Sequence, residues 1–238
     1  MSGPLYMIEL RPDPAALIRF AEDQGIGPED EDLGYAVHAW LAAMYGEDAP
    51  KPFRLFQDRR HLRPPRLLAY ARRSGEALSE RAAVFASPLA VAVCPLREGI
   101  TSKSMPEAWQ AGRRLGFELL ACPISRLGRN EDDVYRRHWR ERDEAGAPPE
   151  SRAAVYQTWL AGQLREAATL DDYSLDGFRN LRLLRKGGAG RRDFLAPQAC
   201  FSGVLRVRDG EAFQRLLARG VGRHRAFGFG MLLLRPAP

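Results

Sequence analysis

The chain of 238 residues has few cysteines, few lysines and no long apolar run. Its three cysteines (Cys94, Cys122 and Cys200) are widely spaced and offer neither a disulfide framework nor a CxxC zinc motif. They are typical of small buried residues in a reducing compartment, so we expect a cytoplasmic protein. The longest apolar stretch, Phe85 to Leu96, is interrupted by serine and proline and is too short to span a bilayer. The sequence therefore argues against a disulfide scaffold and against a membrane partner.

Arginine is abundant instead, and its position is more informative than its amount. The chain holds 33 arginines against three lysines, and its formal net charge is +6. A GC-rich genome would spread such a bias evenly, but residues 179–238 alone contain 13 basic and three acidic residues. A local excess of this kind is typical of a polyanion partner. We therefore expect nucleic acid to bind the last quarter of the chain, with a solvated basic surface as the alternative.

Short apolar segments and helical patterns alternate along both halves of the chain. Each half has a roughly β-α-β-β order, in which the strands that would pair are far apart in sequence. This order predicts an α+β fold of two tandem ferredoxin-like (RRM-like) domains. We expect an N-terminal domain at 1–112 and a C-terminal domain at 113–238, with the Gly-, Ser- and Pro-containing stretch 98–112 bridging the two halves.

Local patterns predict individual elements. A helix is expected from about Leu33 to Tyr45 with Asp32 as its N-cap, a strand at Leu89–Leu96, and a second helix at Glu131–Asp143. The acidic pair Asp171-Asp172 is expected at the start of a further helix, where capping would explain it.

The helix expected at Leu33–Tyr45 carries Tyr35 and His38 on one face. At 100° per residue its large apolar residues form a stripe toward the core, and Tyr35 and His38 fall on the opposite side beside small alanines. Histidine titrates near neutral pH and is the usual general acid or base, so this pair is the catalytic candidate. A surface histidine without a role is the alternative. The other three histidines (His61, His138 and His224) give weaker signals.

A glycine-rich loop occupies Gly220–Gly230 with the sequence GVGRHRAFGFG. It fails the dinucleotide-binding fingerprint, because Arg225 stands where the third glycine belongs and the loop follows a helix and precedes a strand. Free backbone N–H groups and two arginines would suit close approach to a phosphodiester backbone. A tight turn leading into an edge strand is the alternative. The loop residues expected to bind RNA are Gly222, Arg223, His224, Arg225 and Gly228.

The segment RNLRLLRKGGAGRR at 179–192 is typical of a basic β-hairpin with a glycine tip. Such a ribbon can follow one groove of a duplex, although a solvated hairpin is also possible. Its RNA-binding candidates are Arg182, Arg185, Lys186, Arg191 and Arg192. No group of histidine, cysteine and carboxylate residues has metal-ligand spacing, so we expect no metal and no cofactor.

Taken together, these motifs resemble the CasE-type CRISPR repeat endoribonucleases, the RNA-processing subunits of type I-E Cascade complexes. The matching features are the strand Gln198–Val207 followed by a helix and the loop Gly220–Gly230, the near-terminal Pro236, the Tyr35-x-x-His38 motif and the basic hairpin. The chain departs from the family in an extra helix before the Tyr-x-x-His helix and in Arg225, where a lysine is usual. The family's basic Asn-Pro turn is replaced by the segment 121–126.

The resemblance implies a metal-independent endoribonuclease that binds the CRISPR repeat stem-loop and cleaves precursor crRNA. The 2′-hydroxyl would attack the adjacent phosphate, His38 would act as general base or acid, and Tyr35 would position or share that proton transfer. Arg223 and Arg225 would stabilise the phosphorane, and the hairpin would grip the stem-loop. The enzyme would stay bound to the mature crRNA beside other Cascade subunits. The alternatives are a non-catalytic repeat-RNA-binding subunit, a site based on arginines, and a general RNA-binding module.

Overall fold

The computed structural model describes residues 3–26, 33–57, 65–96, 98–128, 130–187 and 190–238. The predicted Asp32 cap and the side chain of His61 lie outside these ranges. Among the described residues, no helix is both long enough and apolar enough to cross a membrane.

The first half of the chain forms a four-stranded antiparallel sheet with helices on one face. Its elements are β1 (Tyr6–Leu10), α1 (Pro14–Asp23), α2 (Gly34–Tyr45), β2 (Phe53–Phe56), β3 (Arg66–Ala71), α3 (Gly75–Phe85), α4 (Pro88–Val93) and β4 (Ile100–Ser104). The strand order β2-β3-β1-β4 places the last strand beside the first, as in a ferredoxin-like fold.

The second half repeats this order. Its elements are β5 (Arg114–Ala121), β6 (Ile124–Leu127), β7 (Asn130–Asp133), α5 (Val134–Glu144), α6 (Arg152–Leu164), β8 (Ala168–Gly187), β9 (Gly190–Val207), α7 (Gly210–Arg219) and β10 (Leu232–Pro236). The sheet order β10-β5-β9-β8 again places the last strand beside the first, and β6 and β7 form a separate small hairpin. The predicted fold of two tandem ferredoxin-like domains is confirmed.

Strand β3 is apolar on both sides because both faces of the first sheet are covered. Successive side chains of a strand point to opposite faces. Leu67 and Ala69 pack under the helices of the first half, whereas Leu68 and Tyr70 belong to the core of the second half. The Tyr70 hydroxyl donates a 2.8 Å hydrogen bond to the carbonyl of Leu232 in β10. The two sheets are therefore docked through a shared apolar core.

Helix starts follow local capping chemistry. Asp13 accepts a 2.7 Å hydrogen bond from the Ala16 N–H, and Pro14 follows at the first helical position of α1. Ser87 and Pro88 begin α4 in the same way. The predicted strand at Leu89–Leu96 is therefore wrong, because a Ser-Pro start outweighs a short apolar run that a buried helix turn can also accommodate.

Three further local predictions need correction. Helix α5 begins at Val134 and not at Glu131, because Asn130–Asp133 pairs with β6 and Asp133 caps the helix. The stretch 98–112 contains β4, so the bridge between the sheets is shorter than expected. The pair Asp171-Asp172 lies within β8, where Asp171 forms ion pairs with Arg206 on the adjacent strand β9 and with Arg114 on β5, the next strand beyond it.

Candidate active site

Helix α2 is anchored to the core by the predicted apolar stripe. Val37, Trp40, Leu41 and Met44 are each no more than 1% exposed. The Trp40 indole donates a 3.0 Å hydrogen bond to the carbonyl of Ala90 in α4, which fixes the rotation of the helix. This rotation determines which side chains of α2 face the second half of the molecule.

Tyr35 and His38 are half-buried neighbours on the other side of α2, with ring centroids 6.4 Å apart. This side of α2 is covered at Tyr35, whose ring stacks on Phe227 of the glycine loop at 5.7 Å between centroids. A Cβ on Gly34 would lie 2.4 Å from the carbonyl oxygen of Phe227, so only glycine permits this approach. The first turn of α2 is thus docked directly on the loop.

The pKa of His38 is lowered from its usual value, mainly by burial and secondly by the charge of Lys51. Its imidazole is therefore neutral at neutral pH and able to accept a proton. Sequence motifs do not indicate Lys51, which precedes β2 and is 13 residues away from His38 along the chain. One signal was available: Lys51 is one of three lysines in an arginine-rich chain and stands between two prolines.

The glycine loop is a closed turn and not an open phosphate cradle. The N–H of Val221 bonds to the carbonyl of Gly230, and the N–H of Gly230 bonds to Leu120 of β5. Gly222 and Gly228 have φ angles of +75° and +85°, which favour glycine. The expectation of free N–H groups along the loop is therefore wrong at several positions, and the tight-turn alternative describes its backbone better. The ring of Phe53 lies 3.3 Å from where a Cβ on Gly228 would stand.

The loop side chains have specific protein partners. Arg223 donates to Glu131 of β7 through Nε at 2.8 Å, and its Nη2 lies 2.6 Å from the same carboxylate oxygen. The other oxygen of Glu131 lies 2.9 Å from Nε2 of His224. Arg225 donates to the carbonyl of Arg219 at 2.6 Å, and burial followed by the neighbouring arginines lowers its pKa. The sequence predicted Glu131 only as the start of a helix and gave it no role in the site.

The basic hairpin is the far end of β8 and β9. Arg182 is exposed and lies between the buried Leu181 and Leu183, as the strand alternation requires. Directly opposite pairs in the ladder are Arg185 with Arg192 and Lys186 with Arg191. The structure describes the strand pairing of these four residues and not their side chains.

Five rings in contact connect the hairpin, the loop and α2. Phe194 of β9 lies 5.1 Å from His224, His224 lies 5.8 Å from Phe227, and Phe227 stacks on Tyr35, which neighbours His38. This ring array joins the glycine loop to Tyr35 and His38, and Phe194 extends it to β9, two residues beyond the basic segment at 179–192. His138 lies apart from it on α5, with Nε2 3.9 Å from Glu150. In the described part of the chain, no group of three or more histidine, cysteine or acidic residues could hold a metal ion.

Comparison with known proteins gives a consistent result. A family model described as CRISPR associated protein matches residues 5–236. The CRISPR system Cascade subunit CasE of Escherichia coli (strain K12) is 28% identical over 149 residues, which are 63% of this chain and 70% of that protein.

Two solved structures share the fold across nearly the whole chain. CRISPR endoribonuclease Cse3 bound to a 19 nt RNA has 22% identity and a TM-score of 0.66, and the match covers 98% of this chain and 100% of that chain. The CRISPR-associated protein Cas6e from Escherichia coli str. K-12 has 22% identity and a TM-score of 0.58 with the same coverage.

Proposed function

The chain belongs to the CRISPR associated protein family, and we propose that it is a CasE-type endoribonuclease that binds the stem-loop of a CRISPR repeat and cuts precursor crRNA. The observation that carries this proposal is the docking of the glycine loop on the turn of α2 that presents Tyr35 and His38. This docking brings His38, which can accept a proton, next to the most basic part of the chain. Two relatives support the same function. Cse3 is an endoribonuclease whose structure was solved with RNA, and CasE is a Cascade subunit.

In the proposed reaction the RNA 2′-hydroxyl attacks the adjacent phosphorus. A bond forms between the 2′-oxygen and phosphorus while the bond from phosphorus to the 5′-oxygen breaks. This leaves a 2′,3′-cyclic phosphate, and the departing 5′-oxygen takes a proton from water to become a 5′-hydroxyl. His38 takes the proton of the 2′-hydroxyl, because its lowered pKa keeps the imidazole neutral. Tyr35 orients this proton transfer from the same face of α2. The scheme requires no metal ion.

The negative charge that grows on the phosphorane needs cationic groups nearby. Lys51 is a candidate because its charge acts on His38 and its side chain is exposed. Arg223 and Arg225 are candidates because they lie in the loop that touches Tyr35 through Phe227. Each could bind a phosphate oxygen of an RNA strand laid across the loop.

The hairpin is proposed to hold the stem of the repeat. Like charges directly opposite each other in a ladder are destabilising, and the hairpin has two such pairs in succession. A phosphate backbone in the groove would offset that repulsion. With Arg182 and the loop, these residues would also retain the mature crRNA, so that the protein stays in a cytoplasmic Cascade complex with its other subunits. In this proposal the domain of residues 1–112 supplies the proton acceptor and that of 113–238 supplies most RNA contacts.

Incubation of the wild-type protein with repeat RNA in EDTA tests the function. We expect cleavage at one position, a 2′,3′-cyclic phosphate on the upstream fragment, and loss of cleavage when a 2′-deoxynucleotide replaces the ribonucleotide at that position. Tight binding without cleavage would favour the non-catalytic repeat-binding subunit. Binding that ignores the stem sequence and structure would favour a general RNA-binding module.

A further inference from the structure

Glu131 holds two consecutive side chains of the glycine loop. Its carboxylate lies on β7, in the small hairpin that precedes α5, and is 92 residues away from Arg223 in sequence. One carboxylate oxygen accepts a hydrogen bond from Nε of Arg223, and the other lies 2.9 Å from Nε2 of His224. The Arg223 side chain is 45% exposed and the His224 side chain is 11% exposed, so the histidine contact is the more shielded of the two.

The backbone at His224 adopts a left-handed conformation that side-chain contacts of this kind stabilise. His224 has φ +56°, and within the described ranges it is the one non-glycine residue with positive φ. The left-handed conformation costs a residue with a Cβ about 1–2 kcal/mol. The ring lies between Phe194 and Phe227, and a carboxylate oxygen of Glu131 lies 2.9 Å from Nε2 at its edge. Side-chain contacts thus stabilise a conformation that the backbone alone would avoid.

The conformation of His224 sets the position of Phe227. The N–H of Phe227 bonds to the carbonyl of His224 at 2.9 Å and closes the 3₁₀ turn Arg225–Phe227. Phe227 then stacks on Tyr35, and its carbonyl packs against Gly34 at the start of α2. A continuous series of contacts therefore connects Glu131 with the catalytic pair.

We propose that Glu131 is a positioning residue of the RNA-cleavage site, which acts through His224 and Phe227 on the orientation of Tyr35 and His38. It touches neither the RNA nor the reacting atoms. The inference rests on the proposed endoribonuclease function, because it assigns Glu131 a part in that reaction. A misplacement of about 1 Å at reacting groups can cost up to about 100-fold in rate, so a small shift of the loop would suffice.

A double-mutant cycle between Glu131 and His224 tests the proposal. The variants are Glu131→Ala, His224→Ala and the double variant, with single-turnover cleavage, RNA affinity and melting temperature measured for each. We expect each single variant to cleave about 10- to 100-fold more slowly when the RNA is saturating, so that a change in RNA affinity through Arg223 or His224 does not contribute to the rate. The double variant should be no slower than the slower single variant, because both changes break the same connection.

Two further variants control for folding and for charge. Glu131→Gln preserves the shape of the side chain and one acceptor oxygen, so we expect it to cleave at a rate between those of wild type and Glu131→Ala. This variant keeps the proposal testable if Glu131→Ala folds poorly. Glu211→Ala removes the exposed carboxylate that pairs with Arg215 at 3.4 Å on α7, and it should cleave as wild type. Wild-type rates for both Glu131 variants, effects that add in the double variant, or a change confined to RNA affinity would overturn the proposal.

An NMR measurement separates this inference from the proposed function. The ring resonances of Tyr35 report on Phe227, because stacked rings shift each other's signals. We expect Glu131→Ala to shift the Tyr35 resonances and Glu211→Ala to leave them in place. Unchanged Tyr35 resonances in Glu131→Ala would overturn the connection even if wild-type protein cleaves RNA. Conversely, a wild-type protein that cleaves no repeat RNA would refute the function, and a shifted Tyr35 would still support the connection.

Discussion

At the scale of single residues, the environment of His38 decides what its imidazole can do. Burial disfavours the charged form, and the positive charge of Lys51 disfavours it further. Both effects lower the pKa and keep the ring neutral as a proton acceptor. A sequence with 33 arginines uses a lysine at this point. Lysine is a compact charge on a flexible chain, which suits an approach to a single phosphate oxygen.

The pH dependence of cleavage follows from this environment. His38 must be neutral to act as a base, so the cleavage rate should fall as the pH decreases through its pKa, and this decline should lie below pH 6.5. In Lys51→Met the like charge is absent, the pKa rises, and the decline should move to higher pH. Single-turnover rates between pH 4.5 and 8 for both proteins measure this, with Lys103→Met as the control for loss of a lysine. A decline at the same pH in Lys51→Met would contradict the coupling.

At the scale of structural elements, the order of strands could be predicted, whereas contacts between distant segments could not. Periodicity located α2 and its buried stripe, because a helical face is encoded within a dozen residues. The electrostatic effect of Lys51 on His38 and the hydrogen bond between Arg223 and Glu131 join residues that the fold alone brings together. The start of α4 was missed because a short apolar run fits both a strand and a buried helix.

The glycine loop is a candidate RNA contact, and its backbone conformation also depends on its glycines. Gly228 has φ +85°, so we expect Gly228→Ala to lower the free energy of unfolding by about 1–2 kcal/mol. Gly162 lies inside α6 with open space around its Cα, so Gly162→Ala should raise that free energy by about 0.5–1 kcal/mol. Urea denaturation of the two variants measures both changes. Equal effects of the two substitutions would show that the loop does not need its glycine.

At the scale of the whole molecule, the two ferredoxin-like units share a core. Leu5, Leu68 and Tyr70 of the first half pack among residues of the second half, and Arg54 forms a 2.6 Å ion pair with Glu118 across the same boundary. This docking holds the glycine loop against α2. The proposed active site is therefore a product of the interface, and neither unit contains it alone.

The shared core predicts cooperative unfolding. We expect a single denaturation transition for the whole chain, and Tyr70→Phe should lower the free energy of unfolding by about 1–3 kcal/mol because it removes a buried donor to Leu232. Urea titrations followed by both circular dichroism and tryptophan fluorescence measure this. Tyr6→Phe, a change at a partly buried tyrosine of β1, is the matched control. Two separate transitions in the wild-type protein would contradict a common core.

The most direct measurement is the single-turnover cleavage rate of repeat RNA in EDTA for wild type, His38→Ala and His138→Ala. Loss of a general base costs about 100- to 10,000-fold, so His38→Ala should cleave slower by that factor while binding the RNA with wild-type affinity. His138→Ala removes a histidine of α5 away from the ring array and should cleave as wild type. A His38→Ala protein that cleaves as fast as wild type would contradict the proposed chemistry and point to arginines as the source of catalysis.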